Sequence, residues 1–227
     1  MFIGHFAPAF VAAAVRPDRP RLGLMFFAAQ LVDWAFFAFL MVGIENARIV
    51  PGITAMNPLD LYHMPYTHSL VGSATFALGF ALLVLFFTRD RMASLLAGAV
   101  VLSHWLLDLL VHRPDLTLAG DPPKLGLGLW NIPLLEMPLE IALTLGAMAF
   151  FLMRTRGYIL PALILALLLL AFQAVNWFGP EPDAVTPALS YVGFFAFGLL
   201  TLAASWLGGK RRVNALDEGL ARNGGAV

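Results

Sequence analysis

The fold of this chain is limited above all by its long apolar runs. Six of them lie at about residues 22–44, 66–88, 92–112, 133–153, 157–177 and 185–208. Each is close to the roughly 20 residues that an α-helix needs to cross about 30 Å of hydrocarbon. The chain is 60% hydrophobic and only 12% charged, and a water-soluble domain carries about twice that charged fraction. The sequence therefore predicts an all-α, polytopic transmembrane helical bundle with six full spans.

A shorter apolar segment opens the chain. Residues 1–15 contain Gly4 and Pro8 and, at ~1.5 Å per residue, reach only about 22 Å as a helix. We expect a short N-terminal membrane segment, either a thin seventh span or a half-inserted arm. A cleaved signal peptide is the competing interpretation, but no basic residue precedes the apolar run. Residues 1–208 are then one transmembrane domain, and residues 209–227 a polar, Gly-rich cytoplasmic tail.

The distribution of basic residues predicts the topology. Eleven of the 14 basic residues fall in alternate connections and in the tail: Arg16, Arg19, Arg21, Arg89, Arg91, Arg154, Arg156, Lys210, Arg211, Arg212 and Arg222. The intervening loops hold only Arg48, Arg113 and Lys124. Because basic residues favour the cytoplasmic side, the first set, with the C-terminus, is predicted to lie in the cytoplasm. We expect the protein to reside in the inner membrane of the cell.

Imidazoles and carboxylates concentrate at one level of the predicted bundle. Ionisable side chains in hydrocarbon cost about 2.5 kcal/mol or more each, so they face a protein interior and have partners. Nine of them fall in the outer half of the membrane or at its middle: His5, Asp33, His63, His68, His104, Asp108, His112, Glu136 and Glu140. The predicted cytoplasmic half has no histidine and no buried acid. This segregation predicts a single site that faces outward.

The spacing of the donors favours a metal site. His104, Asp108 and His112 follow one another at four-residue intervals, so they drift only about 40° per step and share a helix face. Because the sequence lacks cysteine, imidazole and carboxylate are the available ligands for a divalent metal. The alternative is a histidine hydrogen-bonded to an aspartate that joins two spans. Glu136 and Glu140 also share a face, and interfacial acids at a helix start are the alternative interpretation for them.

These motifs resemble the family of membrane-bound metal-dependent hydrolases, some of whose members are labelled LexA-binding inner-membrane-associated hydrolases. The resemblance covers roughly residues 1–150. It lies in Gly4–His5, in Asp33, in the T-H-S of residues 67–69 and in the S-H-x-x-x-D of residues 103–108. Where members carry an arginine after the first histidine of the third motif, this chain has Met64. The order of donors is also loosely similar to that of zinc-dependent phospholipase C.

The resemblance implies a metal-dependent hydrolase that acts at the outer leaflet on an amphiphilic ester or phosphoester. The implied ligands of one or more divalent metal ions, expected to be zinc, are His5, Asp33, His68, His104 and Asp108. The implied general acids, bases and supporting partners are His63, His112, Glu136 and Glu140. The expected partners are the lipid bilayer and a lipid-like substrate, with no nucleic acid, and the oligomeric state stays open.

Two other functions compete with hydrolysis. A metal-ion or proton transporter is one, because H-x-x-x-D in a membrane helix also binds zinc in cation-diffusion exchangers. This chain has one such motif, and no ionisable residue continues from it toward the cytoplasmic side. The other is a non-catalytic membrane scaffold whose polar cluster, a degenerate metal site, holds the helices together.

Overall fold

The computed structural model describes residues 1–16 and 21–213, and it is a bundle of helices with three small two-stranded sheets. The helices are α1 Ala7–Val15, α2 Leu22–Ala29, α3 Leu31–Met41, α4 Leu70–Thr88, α5 Arg91–Val111, α6 Pro133–Arg154, α7 Leu160–Phe178 and α8 Pro187–Gly209. The strands are β1 Asn46–Ile49, β2 Leu59–His63, β3 Leu116–Thr117, β4 Lys124–Leu125, β5 Thr155–Gly157 and β6 Arg211–Val213. The predicted all-α fold class is confirmed.

Five helices in the described ranges, α4 to α8, are long and apolar enough to cross a membrane. Helices α2 and α3 form a sixth span if they are taken together, but they are bent by 48° at a break. The break falls at Gln30, whose side chain donates a hydrogen bond to the Phe2 carbonyl (3.2 Å). The first predicted span is thus a broken helix, and the break lies next to the polar residues of the bundle.

The N-terminal segment is helical but short. A 3-10 turn at Ile3–Phe6 leads into α1, and together they cover residues 3–15. Ile3, Phe6 and Phe10 are fully buried, and α1 packs against α2, α5 and α6. The segment therefore lies inside the bundle, enclosed by longer helices, and it is too short to count as a full span.

The helices pack around an apolar core and present apolar side chains outward. The core joins α1, α2, α4, α5, α6, α7 and α8 through buried residues such as Phe10, Phe26 and Leu165. Large apolar side chains on the outer surfaces are exposed by more than half, among them Leu78, Leu82, Phe86, Phe87, Leu163, Leu167, Val192 and Leu202. Such surfaces suit lipid. The chain is a membrane protein.

Connections at the two ends of the bundle differ. At the end where α3 and α5 stop, the antiparallel pair β1–β2 and the small pair β3–β4 close over the helices. Arg113 donates to Asp60 of β2 and so ties this cap to the end of α5. At the opposite end, Arg16 pairs with Asp90 (3.0 Å), and β5 pairs with β6.

One predicted boundary shifts. The span expected from residue 66 begins at Leu70, because Ser69 caps the helix by accepting a hydrogen bond from the Gly72 amide (3.0 Å). Near the predicted start of the tail, α8 ends at Gly209, and Arg211 in β6 donates to the carbonyls of Leu152 and Thr155. Arg19, Arg222 and the predicted tail from residue 214 onward lie outside the described residues.

Candidate metal centre

The five predicted ligands meet at one end of the bundle, although they come from four separate segments. His5 belongs to the N-terminal turn, Asp33 to α3 and His68 to the loop before α4. His104 and Asp108 lie one turn apart on α5. Four of these side chains are almost fully buried, and Asp33 is 20% exposed. Donor atoms within 4.8 Å of one another form two groups, His5–His104–Asp108 and Asp33–His68–His104.

Each of the two aspartates lies close to two imidazole nitrogens. Asp33 Oδ1 lies 3.4 Å from both His68 Nε2 and His104 Nε2. Asp108 Oδ2 lies 3.6 Å from His68 Nε2 and 3.2 Å from His104 Nε2. A tetrahedral ion with ligand bonds of about 2.0–2.2 Å places its ligands about 3.3–3.6 Å apart. These nitrogen–oxygen separations are in or near that range, but Asp33 and Asp108 belong to different groups of mutually close donors, so each group of three can hold an ion by itself.

The second oxygen of Asp108 faces another set of donors. Asp108 Oδ1 lies 3.0 Å from His5 Nε2 and 3.5 Å from His112 Nε2. The α-amino group of Met1 also donates to this oxygen (3.1 Å). Asp108 thus stands between two groups of nitrogen donors, one on each carboxylate oxygen. The group of donors that can hold an ion at Asp108 is His5, His104 and Asp108.

The hydrogen-bond partners fix which ring nitrogen carries the proton. His104 Nδ1 lies 2.8 Å from the Ala29 carbonyl, which can only accept, so this nitrogen carries the hydrogen. His104 Nε2 faces Asp33 and Asp108 and has no hydrogen-bond partner among the described residues. Two carboxylates beside this nitrogen require either a second proton on the ring or a bound cation. The donor set therefore fits a metal ion.

The Ala29 carbonyl is available because of the break between α2 and α3. An unbroken helix would use that carbonyl for its own hydrogen bond four residues on. The break at Gln30 therefore supplies the acceptor that orients His104. Metal-binding histidines generally donate their other ring N–H to such a carbonyl or carboxylate.

His68 is oriented by a residue that sequence reasoning missed. Thr67 Oγ1 donates its hydrogen to Glu45 Oε2 (2.5 Å). Thr67 Oγ1 therefore accepts a hydrogen bond from His68 Nδ1 (2.8 Å). Glu45 Oε1 also accepts from the amides of Tyr66 and Thr67 (2.8 and 2.9 Å). Glu45 is fully buried after α3. The signal available in the sequence was an isolated acid at the end of a predicted span.

His112, predicted as a general acid or base, lies at the edge of the cluster. Its Nδ1 donates to Asp115 Oδ1 (2.9 Å), and its ring packs on Trp130 with centroids 4.2 Å apart. Asp115 was also missed, although its spacing of three residues after His112 was a usable signal. The Nε2 atom of His112 faces Asp108, so all four clustered histidines direct Nε2 toward the two aspartates.

Glu140 holds the N-terminal turn, and both of its carboxylate oxygens are engaged in doing so. Its Oε1 accepts from the amides of Phe2 (2.5 Å) and Gly4 (3.0 Å), and its Oε2 accepts from Gln173 Nε2 (2.9 Å). Gln173 in turn accepts from the Ile3 amide (3.3 Å). The predicted role of Glu140 as a general base is not favoured by this geometry. It positions the segment that carries His5.

The remaining two predicted catalytic residues lie apart from the ligands. His63 is exposed at the end of β2, where it pairs with Asn46 of β1. It lines neither of the two cavities at this end of the bundle. It sits apart because Leu61, and not His63, is the residue of β2 that packs against Phe36 in the bundle. Glu136 lies one turn before Glu140 on α6 and is buried, but neither of its oxygens has a hydrogen-bond partner in the described ranges.

Two adjoining cavities lie at this end of the bundle, and the first of them reaches the cluster. The first, of about 250 Å³, is mostly apolar, and its walls include Asp33, His68, Asp108, His112, Phe36, Phe37, Phe197 and Val192. The second, of about 310 Å³, is more polar, and its walls include Asn57, Trp130, Glu136, Glu140, Asn176, Trp177 and Glu181. The two cavities share part of their walls, including Met1, Asn57, Trp130 and Val175. The clustered donors are thus reachable from outside.

No protein-family model matches this chain, and comparisons with curated proteins and with solved structures found no similar protein. The geometry of the site therefore carries the functional argument.

Proposed function

We propose that this chain is a membrane-embedded metal-dependent hydrolase that acts at the outer leaflet on an amphiphilic ester or phosphoester. One observation carries the proposal: four imidazole Nε2 atoms surround the buried Asp108 and the partly exposed Asp33 beside an apolar-walled cavity. We assign His5, Asp33, His68, His104 and Asp108 as the ligands.

Zinc is the metal that these donors suit best. Nitrogen and carboxylate ligands in a near-tetrahedral arrangement are typical of zinc, whereas calcium and magnesium prefer oxygen ligands in larger numbers. When bound, such an ion lowers the pKa of a coordinated water and polarises a phosphoryl or acyl oxygen. Two overlapping groups of three donors, His5–His104–Asp108 and Asp33–His68–His104, support one or more ions at this centre.

The residues of the chain orient the reaction and move its protons. Asp33 is the most exposed of the ligands, so the open side of the centre lies near it. His112 lines the apolar cavity and is held by Asp115, which suits a general acid or base that exchanges a proton with the substrate. The buried surroundings of the other histidines keep bulk water away from the ligands.

The shape and position of the apolar cavity support a lipid-like substrate. Its walls include Phe36 and Phe197 from the interior, together with Val175 on α7 and Val192 on α8. Those two valines are more than 60% exposed on helix surfaces that suit lipid. An alkyl chain can therefore enter between α7 and α8 while the polar group reaches the aspartates.

The charge distribution supports an outward-facing site in the inner membrane. The aspartates lie at the end of the bundle opposite the connections that contain Arg89, Arg154 and Lys210. By the positive-inside preference those connections, and with them the end of α8, belong in the cytoplasm.

Transport of a metal ion is less well supported. A transporter needs a polar path through the membrane, but the residues packed beneath the cluster, including Phe6, Phe10, Met25 and Phe26, are apolar and buried. A non-catalytic scaffold remains the other competitor, and it predicts histidine–aspartate hydrogen bonds without a metal.

Metal analysis of the purified full-length protein, combined with hydrolysis assays, tests the proposal. Stoichiometric zinc that is lost in His104→Ala and Asp108→Ala, but kept in His63→Ala, supports the site. Release of product from phospholipid vesicles or chromogenic phosphoesters, abolished in the same two variants, supports hydrolysis. Protein without metal contradicts the proposal in favour of the scaffold, and zinc flux in proteoliposomes contradicts it in favour of the transporter.

A further inference from the structure

We propose that the second cavity is a binding site for an organic ammonium group, with Glu136 as its counter-ion. This site lies beside the metal centre and uses none of its ligands, so its existence does not depend on hydrolysis.

Glu136 is 1% exposed, and apart from its contact with the neighbouring Glu140 carboxyl group, its oxygens lack a hydrogen-bond partner within residues 1–16 and 21–213. Buried carboxylates are normally hydrogen-bonded or paired with a cation, because burial of an unpaired charge is costly. Glu140, one turn away, follows this rule with three hydrogen bonds. Glu136 instead borders an open space, which leaves room for a cation supplied from outside.

The chain itself supplies no free cation there. Neither lysine nor arginine is among the described residues that line the second cavity. The α-amino group of Met1 lines it but donates to Asp108 Oδ1 at 3.1 Å. Glu181 adds another acid to the wall, and Asn57 and Asn176 add neutral polar groups. The cavity is therefore acidic overall, and it attracts positive charge.

The walls suit an organic cation better than a metal ion. Trp130 and Trp177 both line the cavity, and indole rings bind ammonium groups through cation–π interactions. Calcium requires about six to eight oxygen ligands, whereas both oxygens of Glu140 are already engaged by the N-terminal turn and Gln173. A volume of about 310 Å³ also exceeds what a bare ion fills. The alternative is that Glu136 shares a proton with Glu140 and binds nothing.

Titration of the purified full-length protein in detergent tests the site. Tetramethylammonium is the probe, and neopentyl alcohol, which is similar in shape but uncharged, is its control. Binding is measured by calorimetry and by the change in tryptophan fluorescence. We expect saturable binding of the cation, at least about tenfold weaker binding of the alcohol, and a comparable loss of cation affinity in Glu136→Gln.

A matched variant separates this site from general surface charge. Asp183→Asn removes one negative charge from the α7–α8 loop, which also contains the cavity residue Glu181. Asp183 is exposed and does not line the cavity, so this variant should bind tetramethylammonium as the wild type does. Thermal unfolding checks that Glu136→Gln remains folded. The proposal would be overturned if the alcohol bound as tightly as tetramethylammonium, if tetramethylammonium did not bind, or if calcium displaced bound tetramethylammonium. Repeating the titration after removal of metal by a chelator keeps the result separate from that of the metal centre.

Discussion

The imidazole rings of His5 and His104 stack face to face, with centroids 3.7 Å apart and planes within 5° of parallel. Their Nε2 atoms approach different oxygens of Asp108, at 3.0 Å from Oδ1 for His5 and 3.2 Å from Oδ2 for His104. Two protonated rings would repel each other at this separation, whereas neutral rings can stack and coordinate. Asp108 therefore connects the two halves of the cluster.

This connection predicts different metal losses in two variants. Asp108→Asn removes the charge that both groups of donors share, so we expect the zinc content to fall close to zero. His5→Ala affects only donors on the Oδ1 side, so the set formed by Asp33, His68 and His104 should keep an ion. The zinc-to-protein ratio, measured by mass spectrometry after dialysis, distinguishes the two variants. Equal retention of zinc in both would refute the shared role of Asp108.

The contact between Thr67 and His68 predicts a loss of metal affinity without any change of ligand. Thr67→Val keeps the shape of the side chain but removes the hydroxyl that joins His68 Nδ1 to Glu45. Supporting partners of this kind typically contribute 10–100-fold to metal affinity, and we expect a loss of about that size. Competition with a chromophoric chelator measures it. Thr67→Ser restores the hydroxyl and should restore the affinity, and a valine variant with unchanged affinity would contradict the role.

The position of Glu140 predicts a loss of stability. Glu140→Leu leaves the amides of Phe2 and Gly4 and the Gln173 side chain without their acceptor, at a cost of about 1–3 kcal/mol for each buried donor. Glu140→Gln keeps one acceptor oxygen and should fall between leucine and the wild type. Thermal unfolding in detergent gives the order of the three proteins. A leucine variant with an unchanged melting temperature would show that these hydrogen bonds do not hold the N-terminal turn.

Apolar runs were sufficient to predict the helical membrane fold, and the depth of polar residues predicted one site of nine residues, of which His5, Asp33, His68, His104, Asp108 and His112 meet. Both signals follow from the cost of placing ionisable groups in hydrocarbon, which acts on each residue separately. Spacing along α5 also placed His104 and Asp108 on one face.

Other features could not be predicted because they depend on contacts between distant segments. The break at Gln30 and the use of the Ala29 carbonyl require α5 to pack beside α2. The role of Glu140 depends on the amides of a turn far away in the sequence. His63 shares with His68 a short polar segment, and only the path of β2 shows that it points elsewhere. Local patterns contain no information of this kind.

The start of α4 predicts that a glycine outside the cluster controls the position of His68. A Cβ atom at Gly72 would lie 1.8 Å from the Tyr66 carbonyl oxygen, so the backbone just before His68 must move in Gly72→Ala. We expect a lower melting temperature and weaker zinc binding, because His68 would leave its position beside Asp33. Gly79→Ala is the matched control: the same helix has nothing within 4 Å of a Cβ atom there, and alanine should stabilise it by about 0.5–1 kcal/mol. Thermal unfolding and chelator competition on both variants measure these effects, and wild-type zinc affinity in Gly72→Ala would show that the turn before α4 does not determine where His68 lies.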